Sequence, residues 1–181
     1  MKKLMIALAV VAIAAVSQAA QVKWQGTMYG VDPTAVGDNG AYAASGALAN
    51  TDTWSATIRI LSADGSSEVY KQTASGKMGS AISVLLNNSA IHASTDYTYE
   101  IVVTASQASL KSKASDTYDY SAATLETTIT GGFKTNPSGL SPLNADSSSW
   151  KVSGIVAAPE PTSGLLLLLG VGALALRRRR A

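Results

Sequence analysis

The chain has 181 residues, 46% of them apolar and only 14% charged, against about 25% charged in an average globular protein. It has no cysteine and a single histidine, His92, which removes disulfide frameworks, thiol catalysis and cysteine zinc sites and leaves little for histidine-based triads or metal centres. The formal charge of +2 misleads: six of the 14 basic residues sit at the ends, and residues 21–158 keep eight basic against eleven acidic residues, with no basic face for a nucleic acid.

Residues 1–20 read as a secretory signal peptide. Lys2 and Lys3 precede a charge-free, proline-free run from Leu4 to Val16, and Ser17-Gln18-Ala19-Ala20 follows. A positive start, an apolar stretch of about 13 residues and a small-x-small site are what an exported chain needs. Ser17 and Ala19 fit that site, with cleavage expected after Ala19.

Residues 21–156 read as one β domain. Residues 22–29 are the predicted first strand, and 31–50, rich in Gly, Ala and Asp, a long loop. Trp54, Ala56, Ile58 and Ile60 alternate with Ser55, Thr57 and Arg59. Asp64-Gly65 is then a hairpin turn, and Glu68 starts the returning strand. Residues 81–86 predict a strand closed by Asn87-Asn88 as a turn. Tyr97, Tyr99, Ile101 and Val103 alternate with Thr98, Glu100 and Thr104. Residues 106–121 come nearest to a helical stripe but are too polar to bury a face. Leu125, Thr127 and Ile129 alternate with Glu126, Thr128 and Thr130, and Gly131-Gly132 reads as a breaker. Residues 136–149 are predicted as loop and 149–156 as the last strand. Strands of Thr, Val, Ile and Tyr at this spacing suit a mainly β fold, an antiparallel β-sandwich of jelly-roll or immunoglobulin-like type with roughly seven to nine strands.

Residues 157–181 have a different character. Pro159-Glu160-Pro161 is followed by an apolar run over residues 164–176, then Arg177, Arg178, Arg179 and Arg180. A helix of 13 residues reaches roughly 20 Å at about 1.5 Å per residue. That is a short transmembrane helix, since the hydrocarbon core is about 30 Å thick. Local thinning and snorkelling arginines can complete the span. The four arginines belong on the cytoplasmic side, so the middle of the chain lies across the membrane from them. The two prolines keep the junction extended and Glu160 exposed.

This tail resembles the bacterial PEP-CTERM sorting signal in all three parts: the Pro159-Glu160-Pro161 motif, the short apolar run and the terminal Arg177 to Arg180 cluster. The resemblance covers residues 157–181 and implies recognition by an exosortase, an integral-membrane enzyme that cuts near the motif. It also implies tethering at the inner membrane before processing, then delivery to the cell surface or extracellular matrix. The implied partners are the exosortase, the export machinery, the membrane and extracellular polysaccharide. The catalytic residues of that step belong to the exosortase, so none carries over here.

Within the middle, little chemistry is encoded. His92 stands alone and reads as a surface or edge residue. Asp116 and Asp119, with Tyr118 and Tyr120 beside them, suit either a solvated loop or an oxygen-ligand calcium site. Asp38-Asn39-Gly40 is a turn first. Asp96, Glu100 and Glu126 lie on predicted strands, with nothing to tie two of them at a glycosidase separation. There is no nucleophile elbow, phosphate loop or dinucleotide fingerprint, so the expectation is a non-enzymatic protein without cofactor or metal. Trp24, Trp54 and Trp150 suit either a packed core or a sugar-stacking row. The second choice would make the domain a carbohydrate-binding module at the cell surface.

Overall fold

A computed structural model describes residues 19–45, 52–158, 167–169 and 171. The signal segment through Gln18, the Pro159-Glu160-Pro161 motif and the four terminal arginines lie outside the described residues.

In chain order the elements are β1 (Ala19–Thr27), β2 (Ala41–Ala43), β3 (Thr53–Ser62), β4 (Glu68–Lys77), β5 (Ala81–His92), β6 (Asp96–Ser106), α1 (Ala108–Lys111), β7 (Tyr118–Asp119), β8 (Thr124–Lys134), β9 (Leu140–Asn144), β10 (Ser149–Ser153) and β11 (Val156–Ala157). The fold is mainly β. A six-stranded sheet has the order β2-β10-β8-β6-β3-β4, a three-stranded sheet the order β5-β1-β9, and β7 with β11 makes a separate two-stranded ladder.

The alternation seen in the sequence is the cause of the large sheet. Trp54, Ala56, Ile58 and Ile60 of β3 turn inward, as do Ile101, Val103 and Ala105 of β6 and Leu125 and Thr127 of β8. A one-residue slip would put every one of these side chains in water, so the register is tightly fixed. It sets Ile58 beside Ile101, and Ile101 beside Ile129. The small sheet answers with Val22 and Trp24 of β1, Ile82 and Leu86 of β5 and Leu143 of β9. Both inner faces belong to one hydrophobic cluster. At its centre Trp24 and Trp54 meet edge to face, 5.4 Å apart at 63°. Each indole also satisfies its N–H, Trp24 on the Ala145 carbonyl at 3.0 Å and Trp54 on that of Lys77 at 3.2 Å.

Several expected boundaries are corrected. The stretch 31–50 is not all loop: β2 lies in it and pairs with β10. The stretch 136–149 contains β9, which runs parallel to β1, so the sheets are not wholly antiparallel. Residues 106–121 hold the short α1 and β7. Eleven strands are present among the described residues, more than expected. Asn87-Asn88 does not close β5. The strand continues to His92 through an irregularity, in which Asn88 Oδ1 accepts the Ala90 N–H at 2.8 Å. Gly131 and Gly132 lie inside β8 rather than ending it. The Tyr99 ring lies over Gly131, where an added Cβ would sit 2.6 Å from the phenol oxygen. Only glycine allows that ring to lie flat across the strand.

The strand directions separate the two ends of the body. Ala19 pairs with His92, whose N–H is bonded to the Tyr97 hydroxyl near the start of β6. The opposite end is where β6 finishes, β8 starts, and Ser153 of β10 pairs with Thr124. The first strand thus enters at one end of the sheets and the last leaves at the other. The β3–β4 hairpin turn lies at the entry end. There the Ser62 hydroxyl, then the Ser66 N–H and hydroxyl, hold the Asp64 carboxyl down to about 2, so this turn keeps its charge-assisted bonds far into acid.

Candidate functional site

Two regions of the body bear on function: the place where the tail leaves it, and the outer face of the six-stranded sheet.

At the exit, β10 ends with Ser153, and Gly154 turns the chain out of the sheet with φ of 74°. Val156 and Ala157 then pair with Asp119 and Tyr118, and the Ala158 N–H donates to the Thr117 carbonyl at 2.8 Å. Pro159 is the next residue in sequence. Beyond the motif, Leu167, Leu168, Leu169 and Val171 are helical and 60–74% exposed, with no cover for these apolar side chains among the described residues. No helix among the described residues is long and apolar enough to cross a membrane. Most of the expected short transmembrane helix lies outside the described residues.

The outer face of the large sheet carries the polar half of the alternation. A shallow trough of about 680 Å³ runs across β4, β3, β6 and β8; hydroxyls from Thr53, Ser55, Ser75, Thr104, Ser106 and Thr124 line it beside Trp54, Gly76 and Ala105, and most of its exposed lining is carbon. A smaller hollow of about 240 Å³ adjoins Glu126, Ser149 and Lys151. Ser75, Ser55, Thr104, Glu126 and Lys151 fall in one row across five strands. The Ser55 and Thr104 hydroxyls are 3.0 Å apart. Hydroxyls in such a row can both donate and accept, which suits a polyhydroxylated ligand. The sequence shows these residues only as the polar partners of the buried ones. It takes the register to align them.

The acidic candidates do not converge. Arg59 donates to Glu68 and Glu100, both at 2.8 Å, and these bonds push its guanidinium pKa up. Glu126 stands opposite Lys151, and Asp96 lies 3.9 Å from Lys134. The Asp119 carboxylate accepts the Ser121 N–H at 2.9 Å, which with the Ser121 hydroxyl lowers its pKa. That is a turn stabilised by its own backbone. No group of three or more His, Asp or Glu side chains is placed to hold a metal ion among the described residues. His92 is exposed at the end of β5. Asp38-Asn39-Gly40 is a bend in which the Tyr42 hydroxyl donates to the Asp38 carbonyl at 2.6 Å. Trp24, Trp54 and Trp150 are each at most 4% exposed, so they form core and offer no stacking row.

A protein-family model described as the PEP-CTERM protein-sorting motif matches residues 157–180. The chain carries a PEP-CTERM sorting motif. The match begins at Ala157 in β11, so the PEP-CTERM segment starts within the folded body's last ladder. This motif supports an exported protein targeted to an exosortase and processed at the membrane. No curated protein and no solved structure matches the chain.

Proposed function

We propose that the chain is an exported, non-enzymatic protein of the cell surface or extracellular matrix. In this reading the body is a two-sheet β-sandwich, delivered by its signal peptide, held briefly at the inner membrane by its tail and released by an exosortase. The PEP-CTERM match over residues 157–180 carries the proposal. Glu68 and Glu100 are both tied to Arg59, and Asp96 and Glu126 lie beside lysines on other strands; this arrangement favours a body without catalysis. Pro159, Glu160 and Pro161 serve as the recognition element, and the four arginines as the stop that leaves the motif outside. Intact mass spectrometry of the protein from its native envelope tests this directly. The expected species starts at Ala20 and ends near the motif. A cytosolic species running from Met1 to Ala181 would overturn the proposal.

A second reading, a carbohydrate-binding body on the same delivery route, is favoured by the hydroxyl-lined trough. It rests on hydrogen bonding, because the tryptophans are buried. The mature protein should then be retarded in native gels containing polysaccharide. Ser55→Leu with Thr104→Leu should weaken binding roughly 10- to 30-fold, at about 1 kcal/mol per hydroxyl bond. Equal mobility in gels with and without every polysaccharide tried would exclude this reading.

A further inference from the structure

We infer that the β7–β11 ladder is a clip that must open before the tail is cut. The inference rests on the sorting reading above and adds a conformational step to it. With the clip closed, paired backbone extends to Ala158, and Pro159 is the very next residue. A membrane-embedded enzyme that binds an extended peptide needs free backbone on both sides of its target. A folded sheet one residue away obstructs one of those sides.

The clip is built to open. It has only two residues per strand. Val156 is 61% exposed and Ala157 is exposed, so β11 has little buried surface to lose. Short ladders with exposed bonds lie at the low-stability end of a fold and open ahead of the body. The hinge is Gly154. Its φ of 74° suits glycine, and an added Cβ there would collide with the Ala122 carbonyl oxygen. Ser153, on the body side of the hinge, stays locked to Thr124 by strand pairing and a 2.8 Å hydroxyl bond. Ile155, just beyond the hinge, is half-buried against the core, so opening that reaches back to the glycine also lifts this side chain; it then frees residues 155–158, roughly 13 Å of extended chain.

A disulfide can lock the clip. Tyr118 and Ala157 face each other, and the Ala158 bond to Thr117 makes theirs the non-hydrogen-bonded pair. Such pairs have Cα atoms about 4.5 Å apart, within disulfide range. The chain has no cysteine to interfere. Full-length Tyr118→Cys/Ala157→Cys protein is placed in membranes of the native host, oxidised or reduced, and trimming is followed by mass. The oxidised form should lose trimming and the reduced form regain it. An oxidised form trimmed at the wild-type rate overturns the inference. If the wild-type chain is not trimmed at all, the sorting reading falls and the clip with it. If only the double variant fails even when reduced, Val156→Pro decides, because it removes the N–H that the register aims at Asp119. Trimming of that variant at or above the wild-type rate supports the clip, and slower trimming overturns it.

Discussion

In the double variant Pro159→Ala, Glu160→Ala, the chain accumulates untrimmed in the inner membrane. Both changes fall within the sorting motif. Alanine at 159 returns the N–H and the backbone freedom that proline withholds, so the chain just before residue 160 is no longer held in an extended form. Alanine at 160 removes the charge that keeps the junction in water. The last described contact of the body is Ala158 to Thr117, on the body side of both substitutions. The measurement is the ratio of full-length to trimmed protein in membrane and released fractions. Trapping should be near complete while the far-ultraviolet spectrum of the body stays unchanged. Ordinary trimming of this variant would separate the tail from the sorting function.

Trp24→Ala should give the largest loss of stability. The ring is fully buried between the sheets, packs edge-on against Trp54 at 5.4 Å, and satisfies the Ala145 carbonyl. Truncating a buried tryptophan costs about 3–5 kcal/mol. That is a large part of the roughly 5–15 kcal/mol that holds a typical domain together. At a few degrees per kcal/mol, the melting midpoint should fall by roughly 10–15 °C. Trp24→Phe keeps a ring but orphans the carbonyl, and its loss should be about 1 kcal/mol from the bond plus some packing. Calorimetry of the two variants separates packing from hydrogen bonding. If Trp24→Ala melts within a few degrees of the wild type, the contact between the sheets does not hold the body together.

Where one face of a strand is buried and the other wet, the sequence was readable residue by residue. Trp54 to Ile60, Ile101 to Ala105 and Leu125 to Thr127 point inward as their spacing indicates. The misses share a cause. β9 contains Pro142 and polar neighbours, and it forms because it is an edge strand whose one partner, β1, lies far away in sequence. β5 runs past Asn87-Asn88 because a side-chain bond from Asn88 absorbs an irregularity that looks like a turn. Gly131 stays in its strand because Tyr99 supplies the missing side-chain bulk from across the ladder. Each outcome is decided by a residue distant in sequence, which local pattern does not contain. The sorting motif was legible, because its three parts are consecutive and their order and chemistry are the signal that the family model matches over residues 157–180. The trough was not, since its hydroxyls come from four strands.

The place of β1 bears on the order of events during export. It is the middle strand of its sheet, with β5 on one side and β9 on the other. Its Trp24 indole waits for a carbonyl 121 positions later. Closing so long a loop is slow. A polypeptide threaded through a translocon from its N-terminus therefore has no complete small sheet until Leu140–Asn144 has crossed. β3, β4, β6 and β8 all precede β9, so these strands of the large sheet can pair first and the small sheet closes over them last.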